Sequence, residues 1–71
     1  MSTVVVTGVS GYIGGQTALM LKDAGHRVVG IDRQPLPANL KGVCDRFVQE
    51  DFASKHALST IVQELPSAIV H

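Results

Sequence analysis

Three glycines in the pattern G-x-x-G-x-x-G (Gly8, Gly11 and Gly14), with a carboxylate, Asp32, 18 positions after the last, are the residues here whose types and spacing suit binding chemistry. Each glycine has a separate task. Gly8 lets a strand turn sharply where a Cβ would be strained. Gly11 lets an anionic ligand approach the backbone, and Gly14 lets the following helix pack closely on the strands. A helix opening at Tyr12 leaves its first amides unpaired and carries partial positive charge. The N–H groups of Tyr12 and Ile13 would then point at a diphosphate. Three glycines alone are a weak signal in a chain with seven, and an ordinary tight turn accounts for them equally well. Context separates the readings: the motif follows a strand signal, opens a helix, and precedes Asp32 by nearly the interval of the dinucleotide-binding fingerprint.

Asp32 can accept hydrogen bonds from both hydroxyls of a ribose, and its charge repels a 2′-phosphate, which favours NAD over NADP. Arg33 has two readings, a partner for such a phosphate or a solvated loop cation. The second is preferred, because Asp32 ends the strand where the ribose belongs. Ser10 has no base beside it and reads as a turn residue, with a hydrogen bond to substrate or cofactor as a secondary role. His26, His56 and His71 have no metal-like spacing with Cys44 or with one another. They read as surface or strand-edge residues, and no metal site is expected.

The elements that position these groups follow from periodicity. Thr3 to Thr7 is a β-branched run suited to a buried parallel strand. From Tyr12 to Ala24 the period becomes helical, with Ile13, Thr17, Met20, Leu21 and Ala24 on one face, and Gly25 stands at the left-handed cap position. Val28 to Ile31 reads as a second strand stopping at Asp32. Residues 33 to 42 hold Pro35, Pro37, Asn39 and Gly42 and read as a loop. Arg46 to Gln49 reads as a third strand. Ser54 can cap a helix running to about Leu65, with Ala57, Leu58, Ile61, Val62 and Leu65 on one side, and Ser67 to Val70 reads as a fourth strand. Strands alternating with helices predict an α/β fold, a truncated Rossmann-type three-layer unit. Right-handed crossovers give a parallel sheet in the order 3-2-1-4 with one helix on each face. Ligands then bind at the switch point between strands one and four.

Bulk properties set the limits. The chain has 71 residues, at most one small domain. A core of this size supplies only ~3–5 kcal/mol without staples, and the single cysteine, Cys44, excludes an internal disulfide and suits a reducing compartment. Six basic and six acidic residues balance, leaving no footprint for nucleic acid and no polybasic membrane segment. The start, Met1-Ser2-Thr3 followed by Val4-Val5-Val6, lacks a secretory leader pattern, and no apolar run approaches a membrane span. A soluble cytoplasmic protein is expected.

The stretch Val4-Val5-Val6-Thr7-Gly8-Val9-Ser10-Gly11-Tyr12-Ile13-Gly14 resembles the opening of the extended short-chain dehydrogenases/reductases, and among them the NAD-dependent epimerases/dehydratases related to UDP-glucose 4-epimerase. The likeness continues through Ala24-Gly25-His26-Arg27-Val28-Val29-Gly30-Ile31-Asp32 and returns at Phe47-Val48-Gln49-Glu50-Asp51-Phe52. It implies Asp51 as acceptor for the exocyclic amine of adenine and Phe52 as a backbone contact. On the residues alone, Asp51 reads equally well as a turn or cap residue before the second helix. Ala68-Ile69-Val70-His71 fits the family's fourth strand. The resemblance covers nearly all of this chain but only about the first quarter of a family member, so residues 1–71 read as the N-terminal part of an NAD(P)-binding domain without its catalytic and substrate-binding parts. The family's catalytic Tyr-x-x-x-Lys pair is absent: Tyr12 is the only tyrosine and position 16 is Gln. No catalytic residue is therefore expected, and Tyr12 contributes its amide and packing.

The resemblance implies a nucleotide-sugar substrate for the whole protein and hydride removal and return by bound NAD. Two alternatives stand beside it: a non-enzymatic NAD(P)-binding sensor, and an inactive fragment that self-associates. A fourth strand without a neighbour leaves a bare edge, so a homo-oligomer is expected.

Overall fold

A computed structural model describes residues 2–71. Met1, part of the N-terminal stretch read above, lies outside the described residues. The order is β1 (Thr3–Thr7), α1 (Tyr12–Asp23), β2 (Arg27–Asp32), a single 3₁₀ turn (Ala38–Leu40), β3 (Arg46–Gln49), α2 (Lys55–Glu64) and β4 (Ala68–Val70). All pairings are parallel and the sheet runs β3-β2-β1-β4, as expected. Val5 stands opposite Val29 on one side of β1 and Ile69 on the other.

The β-branched runs sit where a parallel sheet needs them. Val5, Val6, Val28 and Val29 are fully buried at the centre of β1 and β2. Burying each such side chain contributes about 1.5–3 kcal/mol, so the two middle strands hold most of the core. Alternation divides their side chains between faces. Val4, Val6 and Val28 gather with Val9 and with Ala18 of α1, joined by Leu21, Leu36, Val43, Cys44 and Phe47. Val5, Val29, Ile31 and Val48 gather on the other face with Ala57 and Ile61 of α2. The sheet thus lies between two helices, and both crossovers deliver their strands with carboxyl ends on one edge.

The inner face of α1 differs from the periodicity reading. Gly15 and Ala18 are buried, whereas Ile13 and Met20 are 78% and 71% exposed. Close approach is the cause. A Cβ on Gly14 would lie 2.1 Å from the Gly8 carbonyl oxygen, and one on Gly15 would lie 3.0 Å from Leu40 Cδ1. At that separation the small residues Gly15 and Ala18 face inward and Ile13 and Met20 are turned out, while Leu21, nearer the far end of the helix, reaches the core as expected. α2 begins as read, with Ser54 Oγ accepting from Ala57 N at 3.0 Å. It ends on Leu65 in the left-handed region at φ 47°. Of its expected face, Ala57 is buried and Ile61 packs against the core, while Leu58, Val62 and Leu65 stay exposed. The loop after β2 is not wholly irregular: Pro37 opens the 3₁₀ turn, which buries Leu40.

Ion pairs join the ends opposite the glycine turn. Glu64 at the end of α2 takes Arg27 of β2 and Arg46 of β3, each at 3.1 Å. Asp45 takes Lys22 of α1 at 2.6 Å and the Val28 amide at 2.8 Å. These contacts fix both helices against the sheet, and so fix the helix starts at the opposite edge.

Candidate functional site

The glycine turn is built by backbone. Gly8 has φ +66°, a conformation that side chains resist. Its amide donates to the Ile31 carbonyl at 2.8 Å, and its own carbonyl accepts from Gly11 N at 3.1 Å. Gly11 caps α1 with no side-chain hydrogen bond, and the first turn holds no acid. Among the described residues, the turn-to-helix ladder first closes at Gly15 N donating to the Gly11 carbonyl, at 2.8 Å. Tyr12 and Ile13, whose amides precede that closure, are 83% and 78% exposed. Helix α1 therefore starts at the carboxyl edge of the sheet with no side-chain cap and no acid in its first turn, and the nearby charge is that of Asp32, which takes the Ser10 amide just before the cap.

Asp32 is tied to that turn. Its Oδ2 accepts from Ser10 N at 3.0 Å and its Oδ1 from Gln34 N at 2.9 Å. Two amides fix the plane of the carboxylate, and each oxygen keeps acceptor capacity for a further donor. The Ser10 hydroxyl donates to the Gln34 carbonyl at 3.2 Å, which braces the same arrangement.

A cleft of about 310 Å3 opens beside Asp32, lined by Thr7, Gly8, Ile31, Asp32, Arg33, Glu50, Asp51, Phe52 and His71. It thus unites five of the residues singled out in the sequence: Gly8, Asp32, Arg33, Asp51 and Phe52. Ser10, Gly11 and Tyr12 border a separate hollow of about 180 Å3 facing Pro37, Asn39 and Leu40. Ile13 and Gly14 line neither.

Asp51 takes up the turn role. Its Oδ1 accepts from Ala53 N at 2.8 Å and its carbonyl from Ser54 N at 2.9 Å. Its Oδ2 faces Arg33 Nη1 at 3.7 Å, so Arg33, 72% exposed at its side chain, has a partner across the cleft. Thr7, Ile31, Glu50 and His71 are cleft residues that the motif reading missed. Thr7 and His71 sit at the carboxyl ends of β1 and β4, which flank the switch point, and that placement was the available signal. Thr7 Oγ1 lies 2.7 Å from His71 Nδ1 and 3.3 Å from the Val70 carbonyl. The His71 ring packs against Phe52 with centroids 5.1 Å apart, giving the cleft an aromatic wall.

Among the described residues no three His, Cys, Asp or Glu side chains converge on a metal-sized site. Burial, and then the nearby Asp45, push the Cys44 thiol up from its ordinary value, which disfavours the nucleophilic thiolate. Thr7 Oγ1 and His71 Nδ1 bring a hydroxyl and an imidazole within hydrogen-bond distance in the cleft, but the hydroxyl is also directed at the Val70 carbonyl. The arrangement suits binding: uncapped helix amides for an anion, a fixed carboxylate for a diol, and a cleft partly walled by Phe52 and His71 for a ring.

The fold defines a Rossmann-type α/β unit. The chain belongs to the NAD dependent epimerase/dehydratase family, whose model matches residues 4–71. It is 38% identical over 66 residues to the coniferyl-alcohol dehydrogenase of Pseudomonas sp. (strain HR199 / DSM 7063), covering 93% of this chain and 24% of that protein. Among solved structures it is similar to the Bordetella bronchiseptica enzyme WbmH in complex with NAD+, at 33% identity and TM-score 0.77, covering 100% of this chain and 25% of that one. It is also similar to UDP-glucose-4-epimerase from Stenotrophomonas maltophila with bound NAD and formylated UDP-arabinopyranose, at 27% identity and TM-score 0.79, covering 97% and 23%. The chain thus spans about a quarter of the length of these relatives. No helix of the described residues is long and apolar enough to cross a membrane.

Proposed function

We propose that this chain holds the adenosine and pyrophosphate half of NAD for an enzyme acting on a nucleotide sugar. The observation that carries this reading is the Asp32 carboxylate, fixed by the amides of Ser10 and Gln34 at the end of β2 and facing a cleft that Gly8, the first glycine of the turn, also lines. In this reading the pyrophosphate lies against Gly11, Tyr12 and Ile13. Asp32 takes the ribose hydroxyls, Asp51 accepts from the adenine amine, and Phe52 contributes a backbone contact. The proximity that Gly14 allows keeps the helix mouth close to Gly8. The negative charge of Asp32 selects NAD over NADP. NAD, when bound, supplies hydride removal from a sugar carbon and its return.

A second reading within the same class is oxidation of an alcohol without return of the hydride. The identity to coniferyl-alcohol dehydrogenase favours it. Both readings use the same cofactor-holding front end. The 71 residues contain no Tyr-x-x-x-Lys pair, so the chain alone is expected to bind without turnover. Its bare β4 edge is expected to make it self-associate.

The test is a titration with NAD followed by thermal unfolding. A ligand that binds the folded state raises the midpoint in proportion to occupancy. NAD is expected to raise it more than NADP does, and Asp32→Ala is expected to abolish the rise while leaving the unliganded protein folded. A midpoint indifferent to NAD, or a rise unchanged by Asp32→Ala, would sink the assignment.

A further inference from the structure

We infer that Asp51 sets the phosphate preference of the cleft by holding Arg33 back from the ribose, an inference that rests on the adenosine reading above. Three carboxylates line this cleft, Asp32, Glu50 and Asp51, against one permanently charged cation, Arg33. Arg33 immediately follows the ribose residue in the chain, so a 2′-phosphate placed beside Asp32 falls within reach of its long side chain. The guanidinium is instead directed at Asp51, with Nη1 3.7 Å from Oδ2.

The two partners are held unequally. Asp51 is anchored by its place in the turn before α2: its other carboxylate oxygen takes Ala53 N at 2.8 Å, and its carbonyl takes Ser54 N at 2.9 Å. Arg33 is held at its backbone by one long contact, from Gln49 Nε2 at 3.4 Å to its carbonyl, and its side chain is largely in solvent. Arg33 is thus the movable member and Asp51 the fixed one. While the pair is closed, the charge of Asp32 stands uncompensated where a 2′-phosphate would have to sit. With the pair open, Arg33 can swing to the phosphate and pair with it through two parallel N–H groups.

The competition is between weak interactions, because an exposed ion pair contributes little. The device therefore adjusts a preference that Asp32 sets rather than creating it. Asparagine at position 51 keeps an acceptor for Ala53 N and for an adenine amine while removing the charge that holds Arg33.

The experiment titrates NAD and NADP into the 71-residue protein at low ionic strength and follows the backbone amide resonances of Ser10, Gly11 and Gln34, which report weak binding directly. Four proteins are compared: wild type, Asp51→Asn, Arg33→Gln and the double variant. Asp51→Asn is expected to improve NADP relative to NAD by about three- to five-fold, the scale of one exposed ion pair. In the Arg33→Gln background the same substitution is expected to leave the ratio unchanged. An unchanged ratio in Asp51→Asn overturns the inference. So does a gain that survives Arg33→Gln, because that gain comes from the loss of negative charge alone. A wild-type protein that binds neither cofactor removes the adenosine reading itself, and this inference with it. That outcome is distinct from normal NAD binding with an unmoved ratio.

Discussion

A methyl group at position 14 is the smallest change that probes the turn. On Gly14 it would lie 2.1 Å from the Gly8 carbonyl oxygen and 2.8 Å from its carbon. Both are backbone atoms, with no rotamer by which to move aside, so α1 itself must shift. Gly14→Ala is expected to destabilise the fold by about 1–3 kcal/mol, the usual cost of overpacking. Gly42→Ala, where nothing lies within 4 Å and φ is not positive, is expected to stay within about 0.5 kcal/mol of wild type. Urea unfolding midpoints of the two variants make the comparison. At this scale the sequence was informative wherever a residue acts through its neighbours along the chain. The positive φ of Gly8, the close approach at Gly14 and the strand-ending Asp32 all follow from spacing. The Arg33–Asp51 pair and the Thr7–His71 contact do not, since parallel pairing of distant strands brings those side chains together.

Helix α2 and the ion pairs at the far end of the sheet govern stability at the next scale. Ser54→Ala removes the side-chain cap on the Ala57 amide and is expected to cost about 1 kcal/mol, read as a lower thermal midpoint. Hydrogen bonding from Arg27, reinforced by Arg46 and opposed by burial, holds the Glu64 carboxyl below its ordinary range. Lys22, with the Val28 amide, does the same for Asp45. A carboxyl with a lowered folded-state pKa contributes stability above the unfolded value, about 4, and loses it as pH falls through the folded value. Urea midpoints are therefore expected to drop on acidification below about pH 4. Glu64→Gln and Asp45→Asn are expected to lower stability at neutral pH and to converge with wild type in acid. A gap that is constant with pH would show that the substituted side chains act by packing alone. Strand limits and the α2 cap were legible in the residues, because β-branched runs and Ser54 act locally. The buried face of α1 was legible only in part, through Leu21, which packs against the core. Hydrophobic periodicity weights Ile13 and Met20, whereas the contact is made by Gly15 and Ala18, whose value lies in their small size.

Seen entire, the molecule is a four-stranded sheet with β3 and β4 at its edges. Ile69 and Val70 of β4 are 47% and 38% exposed, and Leu58, Val62 and Leu65 of α2 are exposed as well. An unpaired strand beside uncovered apolar side chains invites association. Sedimentation is expected to show mass rising with concentration, and Ile69→Lys to reduce that rise. A monodisperse monomer throughout would remove this expectation. The start of α1 has a practical consequence as well. The chain has no tryptophan and one tyrosine, and that tyrosine, Tyr12, stands almost fully in water as the first residue of α1. Its phenol is therefore the dominant ultraviolet emitter of these 71 residues, and it sits beside the nitrogens assigned to the diphosphate. Light from the unlabelled protein will register an arriving nucleotide at that spot, with no dye attached and no residue exchanged.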